Sequence, residues 1–277
     1  MIRLPAFTLA MALPIAAPLA LAQQQHREQE PSALYEPLPT EMSSDLVFSQ
    51  KHLHFSVLGS SKAHTLFAWG GIDRGDSERF RAALDEAKPV FELMLFSPGG
   101  DLDEGMEIGR IVRARHITTR VPRGAQCVSA CNFILMGGLV RYVEVGALFK
   151  VHMFSSNIAE TLKDHLAEPP RDILTYNILY PQAQLDPSGV QKYLDKYSRD
   201  HPDHPLRLES FLRDHAIDED VKNIQQDSAQ TAAMIAGFLT EMSVSLRFLT
   251  EFADIPNDAP RALTRQEMRR LNVVNAD

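Results

Sequence analysis

A serine between two cysteines lies in the stretch of this chain that could carry chemistry, the CVSAC segment at 127–131. Upstream is an SPGG turn at 97–100, directly after an apolar run, and downstream is His152 in a later apolar run. A serine hydroxyl, backbone N–H groups at a glycine turn and an imidazole are the parts of a nucleophile, an oxyanion pocket and a general base. Their order along the chain predicts nucleophilic catalysis by Ser129.

Two backbone N–H groups are the predicted oxyanion donors, those of Gly99 and Ala130. Glycines tolerate the unusual φ values of a turn between a strand and a helix, and they let a substrate approach the backbone. Ser129 is predicted at the start of a small-residue helix over residues 127–136, where the helix dipole favours negative charge. The N–H of Ala130 would then lie beside the reacting serine.

His152 is the predicted general base. In the strand expected over residues 148–153, alternate side chains share a face, so Lys150 and His152 point the same way. An imidazole titrates near neutral pH and is suited to accept a serine proton. Lys150 is an alternative base, because a desolvated lysine can also activate a serine.

The first 22 residues predict a secretory signal peptide. They contain a single charged residue, Arg3, then an apolar run, and Ala20-Leu21-Ala22 ahead of three glutamines. This pattern predicts cleavage after Ala22 and a periplasmic or secreted protein without a stable membrane anchor. An uncleaved anchor is the alternative, which Pro14, Pro18 and the shortness of the run disfavour.

Composition and charge exclude some classes of partner and cofactor. The chain has 36 acidic and 28 basic side chains, a net charge of -8, with no basic stripe, so a nucleic-acid partner is not expected. In an oxidising compartment Cys127 and Cys131 could form a disulfide, or both could be small core residues. Their spacing lacks the further ligands of a metal site, so neither a metal nor a cofactor is expected.

The order of predicted elements indicates an α/β protein with a mostly parallel sheet. A flexible lead-in is expected over residues 23–44, a core over 45–155, a polar insertion over 156–219 and a helical part over 220–277 that completes the core. A long helix is predicted from about residue 219 to 252. Thr264, three residues before Glu267, predicts a capping box at the start of a final helix.

Several motifs together resemble the ClpP/crotonase superfamily, and in particular ClpP-like serine peptidases. They are a strand that ends in the GGI segment at 70–72, the stretch LMLFSPGGDLDEGMEIGRIV, the stretch CVSACNFILMGG, and KVHMF around His152. The late stretch ALTRQEMRRLNVV resembles the last helix of that family. The paired cysteines and export signal are more similar to a periplasmic ClpP-like branch than to the cytoplasmic protease.

The resemblance implies a spiral of ββα units with a helical C-terminal extension. It places the nucleophile at Ser129, the base at His152 and the oxyanion donors at Gly99 and Ala130. The third member of the triad would be Asp258 or Asp254, just before the late helix. Two carboxylates in the insertion are further alternatives, Asp195 and Asp200.

The expected function is therefore that of an exported serine hydrolase, a peptidase acting on a peptide or protein substrate. A homo-oligomer is expected, because relatives assemble as rings or trimers. The alternative is a catalytically inactive protein of the same fold with an assembly or binding role in the periplasm. Acyl-CoA chemistry of the crotonase type is disfavoured, because CoA thioesters are expected inside the cell.

Overall fold

The computed structural model describes residues 36–59, 64–153 and 167–276. The predicted signal peptide, most of the predicted lead-in and the first part of the predicted insertion lie outside these described residues. All the elements below belong to one compact unit, Leu38–Asp277.

Eight strands and nine helices are described. The strands are β1 His54–Leu58, β2 His64–Trp69, β3 Val90–Phe96, β4 Thr118–Val121, β5 Gln126–Val128, β6 Arg141–Val143, β7 Leu148–Val151 and β8 Arg261–Ala262. The helices are α1 Ser44–Ser49, α2 Asp76–Glu86, α3 Leu102–Ala114, α4 Cys131–Gly137, α5 Ile173–Leu179, α6 Pro187–Asp200, α7 Leu208–Glu241, α8 Phe248–Glu251 and α9 Arg265–Arg270.

The strands form two sheets. The larger has the order β1-β2-β3-β4-β6, in which β2, β3, β4 and β6 are parallel and β1 is an antiparallel edge. The smaller has the order β5-β7-β8, with β5 parallel and β8 antiparallel to β7. The predicted α/β class with a mostly parallel sheet is confirmed. Its central strand β3 is apolar and buried from residue 93 to 96, as expected for a strand covered on both faces.

The two sheets meet where β3 ends. Ser97 donates its backbone N–H to Gln126 O at 2.9 Å, and its own carbonyl accepts the N–H of Val128 at 3.1 Å. Ser97, the first residue of the SPGG turn, is thus paired with β5. This pairing brings the turn at 97–100 next to the CVSAC segment, two segments that are about thirty residues apart in sequence.

Helices α3 and α4 pack closely because glycines line their contact. A Cβ placed on Gly105 would lie 2.7 Å from Ala130 O, and one on Gly109 would lie 2.5 Å from Phe133 O. In the other direction, a Cβ on Gly137 would lie 2.2 Å from Gly109 O. The backbones approach to a distance that no side chain would permit. This contact fixes the start of α4 against the core.

Residues 167–241 form a helical arm. Its α5, α6 and the first half of α7 share a second apolar cluster that includes Tyr176, Leu194 and Leu212. The second half of α7 packs on the main core through Ile235, Phe238 and Leu239. The boundary predicted at residues 219 and 220 falls inside this continuous helix.

The predicted long helix over residues 219–252 needs correction at both ends. Helix α7 begins eleven residues earlier, at Leu208, and stops at Glu241. Ser243 has a φ of 55°, and a left-handed residue just after the last turn ends a helix. Among the helices of the described ranges, none is both long and apolar enough to cross a membrane.

Candidate active site

Ser129 lies at a sharp turn between a strand and a helix. Strand β5 ends at Val128, Ser129 has a φ of 55°, and α4 starts at Cys131 after Ala130. A positive φ is uncommon for a residue with a side chain. Ser129 is half-buried, whereas Val128 and Ala130 are 6% and 2% exposed. The predicted helix over residues 127–136 is wrong in its first part, since residues 127 and 128 pair with β7.

Two hydrogen bonds hold the left-handed residue. The Ser129 N–H donates to Lys150 O at 3.2 Å, and the Ser129 carbonyl accepts the N–H of Asn132 at 2.9 Å. The first bond extends the β5–β7 ladder by one residue and the second begins α4. A strained residue persists only where its surroundings determine it, and such residues cluster at functional sites.

A disulfide spans this turn. Cys127 and Cys131 are bonded, their Cα atoms are 5.3 Å apart, and both are fully buried. Of the two possibilities left open by the sequence, the structure shows the disulfide. The bond joins the strand before Ser129 to the helix after it, so it limits how far the turn can open. Neither sulfur is a free thiol that could act as a nucleophile.

Gly99 packs directly against the serine turn. Its φ is 92°, and a Cβ placed on it would lie 2.5 Å from Val128 O and 2.8 Å from Ser129 Cβ. Both the backbone angle and the lack of space require glycine at this position. The predicted neighbourhood of the SPGG turn and Ser129 is therefore present in the structure.

The N–H groups beside Ser129 differ from the prediction in one respect. The Gly99 N–H donates to Ser97 Oγ at 3.0 Å. Within the described ranges, neither the N–H of Gly100 nor that of Ala130 has a hydrogen-bond acceptor. Ala130 N lies 2.9 Å from the position of a Cβ on Gly99. The N–H of the exposed Gly100 is thus available in this structure, so Gly100 is a further candidate donor beside the predicted Gly99.

His152 directly follows β7 and is half-buried. Its Nδ1 is 2.7 Å from Met153 O and 2.7 Å from Asn257 Oδ1. Both partners are oxygen acceptors, so Nδ1 must carry the proton in this arrangement. In the neutral ring Nε2 then carries the lone pair, which is the form required of a general base.

Asn257 occupies the place expected for a carboxylate. Asp254 and Asp258 lie in the same loop, residues 252–260, but in the described structure neither forms a hydrogen bond or an ion pair with His152. In this structure the side chain that bonds His152 Nδ1 is therefore an amide, and a role for Asp254 or Asp258 as triad acid stays a prediction. The nearest sequence signal was the position of this loop before the last helix. This position predicted the loop, but the resemblance favoured its aspartates over its asparagine.

The alternative carboxylates of the insertion lie elsewhere. Asp195 is on α6, where its Oδ1 accepts a hydrogen bond from Gln191 Nε2 at 2.9 Å. Asp200 is the last residue of the same helix. Neither forms a contact with His152 among those that the structure describes, so neither replaces Asn257.

The serine and histidine are connected through strand β7 rather than by a direct bond. In the described part of the chain, no hydrogen bond joins Ser129 Oγ to His152. Their backbones are linked because Val128 pairs with Lys150, two residues before His152. Catalytic hydrogen bonds are often long before substrate binds and shorten in the complex. The geometry therefore keeps His152 as the candidate base.

Lys150 stays as the second candidate base. It is half-buried on β7, and its ammonium forms no ion pair with any described carboxylate. Among the residues with described positions, no group of three His, Cys, Asp or Glu side chains could hold a metal ion. The polar groups of the candidate site are thus the hydroxyl of Ser129, the imidazole of His152 with the amide of Asn257, the ammonium of Lys150 and the backbone N–H groups of the serine turn.

Comparison with known proteins gives structural neighbours only. No family model matches the chain, and no curated protein matches it. A mutant of a membrane-bound stomatin-specific protease is 16% identical, covers 77% of this chain and 76% of that chain, and has a TM-score of 0.37. A ClpP1 mutant from Listeria monocytogenes is 17% identical, covers 46% of this chain and 77% of that chain, and has a TM-score of 0.30.

Because both TM-scores are low, neither neighbour bears on the chemistry of this chain. The chemistry of this chain is therefore inferred from the residues around Ser129 and His152.

Proposed function

We propose that this chain is an exported serine hydrolase that acts on a peptide or protein substrate, with Ser129 as its nucleophile. The supporting observation is the backbone of Ser129, which has a positive φ at a strand-to-helix turn and packs against Gly99. A strained serine at such a turn is a recurrent arrangement for a nucleophile.

In the proposed reaction, Ser129 Oγ attacks the substrate carbonyl while His152 Nε2 accepts the hydroxyl proton. The same nitrogen returns the proton to the leaving group, and water then hydrolyses the acyl-enzyme by the same route. The N–H groups of Ala130 and Gly100 would donate to the oxyanion of each tetrahedral intermediate. Pre-oriented donors of this kind contribute about 3 kcal/mol each to transition-state stabilisation.

Asn257 and the Met153 carbonyl would keep the His152 ring in the required tautomer. An amide oxygen orients the imidazole as a carboxylate does, but it carries no charge to stabilise the imidazolium that forms. We therefore expect slower catalysis than a carboxylate at the same position would give. This difference can be tested on the chain itself, since Asn257 is exposed.

The test is labelling by a fluorophosphonate probe, which reacts with an activated serine. Wild type should be labelled, Ser129→Ala should not, and His152→Ala should be labelled far more slowly. Ser56→Ala, an exposed serine of β1, is the matched control and should behave as wild type. Labelling of folded Ser129→Ala at the wild-type rate would refute the assignment.

The same assay separates the two candidate bases. If His152 is the base, Lys150→Ala should retain most of the labelling rate while His152→Ala loses it. If Lys150 is the base, His152→Ala should retain most of the labelling rate while Lys150→Ala loses it. Thermal unfolding of both variants ensures that the comparison is between folded proteins.

The second candidate function is that of an inactive protein of this fold with an assembly or binding role. The observations that favour it are the missing Ser129–His152 hydrogen bond and the uncharged Asn257. It predicts no probe labelling of well-folded wild type, together with a stable homo-oligomer by light scattering.

Export is tested separately. Expressed with its own first 22 residues in a Gram-negative host, the protein should appear in the periplasmic fraction or the medium with Gln23 as its first residue. Retention in the cytoplasm with an intact N-terminus would contradict the signal peptide. A membrane-bound form that keeps residues 1–22 would indicate an uncleaved anchor instead.

A further inference from the structure

Asn132 links the two halves of the candidate site. It lies in the first turn of α4, one residue after the disulfide, and is 3% exposed. Its Nδ2 donates to Lys150 O at 2.8 Å. The rest of α4 beyond Cys131 is apolar or glycine, so a buried amide here calls for a specific explanation.

Three hydrogen bonds close a small ring around Ser129. Lys150 O accepts both the Asn132 amide and the Ser129 N–H, the latter at 3.2 Å, and the Asn132 N–H donates to Ser129 O at 2.9 Å. The ring joins the serine turn to β7, two residues before His152. Of the two bonds that reach Lys150 O, the one from Asn132 is the shorter.

The other end of the same amide has no partner. Asn132 Oδ1 is buried and accepts no hydrogen bond from any residue that the structure describes. Leaving a buried acceptor unpaired costs stability, about 1–3 kcal/mol, whereas an apolar group of similar shape would avoid this cost. Asn132 is therefore not the side chain that packing alone would select at this position.

We propose that Asn132 is a positioning residue, which sets the distance between the Ser129 turn and the His152 strand through its bond to the Lys150 carbonyl. The inference rests on the proposed function only for its effect on rate. Its structural part, that Asn132 restrains the Ser129 backbone, stands independently. A displacement of about 1 Å between reacting groups can lower a rate by about 100-fold.

The test uses Asn132→Leu, which keeps the number and branching of side-chain heavy atoms but removes the donor. Its melting temperature should stay near or above that of wild type, because the unpaired acceptor is gone as well. The rate constant for inactivation by the fluorophosphonate probe should fall by about tenfold or more, with the inhibition constant changed less than about twofold. A purely structural residue would not separate these two readouts.

Asn177→Leu is the matched control. Asn177 in α5 is half-buried and likewise donates its Nδ2 to a backbone carbonyl, Leu185 O, at 3.0 Å, while its Oδ1 accepts the Leu185 N–H at 2.7 Å. It lies in the helical arm, so its replacement should leave the inactivation rate unchanged. If Asn132→Leu does not fold because the larger methyl groups are not accommodated, Asn132→Ala serves in its place.

Hydrogen exchange keeps this test separate from the proposed function. In Asn132→Leu, the amides of Ser129 and of the segment 148–153 should exchange faster than in wild type, while those of β3 should not. If wild type is never labelled, the hydrolase proposal fails but this exchange result still decides the role of Asn132. Unchanged exchange at Ser129, or a wild-type inactivation rate in folded Asn132→Leu, would overturn the proposal.

Discussion

The two sides of the candidate site are built differently. On the serine side, the residues that flank the half-buried Ser129 are buried: the Cys127–Cys131 disulfide spans the turn, Gly99 packs against it and α4 extends from it. The histidine side lies at the surface. His152 is half-buried, and Asn257, which bonds its ring, is exposed in the loop 252–260.

This contrast fits the chemistry proposed for each side. A nucleophile with oxyanion donors depends on backbone atoms whose positions are set by packing, so it belongs in the core. A base must exchange protons and admit a leaving group, so its ring needs contact with solvent and substrate. Local stability differs accordingly, because exposed loops open at lower free energy than buried elements. Substitutions that disturb the packing of the serine turn should therefore affect folding as well as rate, whereas substitutions at Asn257 should affect rate.

The largest effect is expected for Gly99→Ala. A Cβ at this position would lie 2.5 Å from Val128 O, and the φ of 92° is itself unfavourable for alanine. We expect a loss of about 3 kcal/mol or more in the free energy of unfolding, together with loss of probe labelling. Urea unfolding measures the first quantity.

Gly237→Ala is the control for that substitution. Gly237 lies in α7, where nothing is within 4 Å of a Cβ placed on it. Alanine should stabilise this exposed helix position by up to about 1 kcal/mol. Equal effects of the two substitutions would mean that the contact between Gly99 and the Ser129 turn is not the close one described.

The next largest effect is expected when Cys127→Ala and Cys131→Ala together remove the disulfide. The bond closes a short loop, with a sequence separation of 4, and the chain-entropy relation gives about 2 kcal/mol for a loop of this size. Labelling of Ser129 should slow as well, because the turn is less restrained. If the double variant unfolded at the same urea concentration as wild type, the glycine contacts alone would be sufficient to hold the turn.

Substitutions at Asn257 test the histidine side. Asn257→Ala should lower the labelling rate by about tenfold, because the ring loses one of the two acceptors at Nδ1. Asn257→Asp should restore or exceed the wild-type rate, since a carboxylate also stabilises the imidazolium. Both variants should keep the wild-type free energy of unfolding within about 0.5 kcal/mol, as is usual for exposed positions. A large loss of stability would place Asn257 in the structural framework instead.

The serine side was largely predictable from sequence because its signals are local. The SPGG turn and CVSAC segment each lie within five residues, and the apolar strand before the turn identifies its place in the sheet. The helix predicted from residue 127 was wrong because propensity could not show that Cys127 and Val128 pair with β7. Tertiary pairing overrides local preference in such short segments.

The histidine side was less predictable because its parts are distant in sequence. Asn257 follows His152 by 105 residues, and the helical arm intervenes. The loop 252–260 contains two aspartates and one asparagine, and charge favoured the aspartates. Which of these reaches His152 is decided by the hydrogen bond from the Met153 N–H to Ile255 O, at 2.8 Å, a contact without a sequence signature.

The smallest effect is expected at the support of the histidine strand. Strand β8 pairs with β7, and the predicted capping box of α9 follows it: Thr264 donates its N–H to the Glu267 carboxylate at 2.7 Å. The bonds from Thr264 and then the contact with Arg261 lower the pKa of Glu267 from 4.5 to about 2. The folded state thus favours the ionised form, so this stabilisation is complete above pH 4.5 and is lost as the pH falls through 2.

Glu267→Gln keeps an acceptor for Thr264 but removes the charge. We expect it to lower the free energy of unfolding by about 1 kcal/mol at neutral pH, with little change in Ser129 labelling. The difference from wild type should shrink as the pH falls from 4.5 towards 2, because the wild-type carboxylate then becomes protonated. Melting temperatures of wild type and Glu267→Gln between pH 4.5 and about 2 measure this difference in stability. A difference that is constant with pH would mean that shape, not charge, holds α9 against the histidine side.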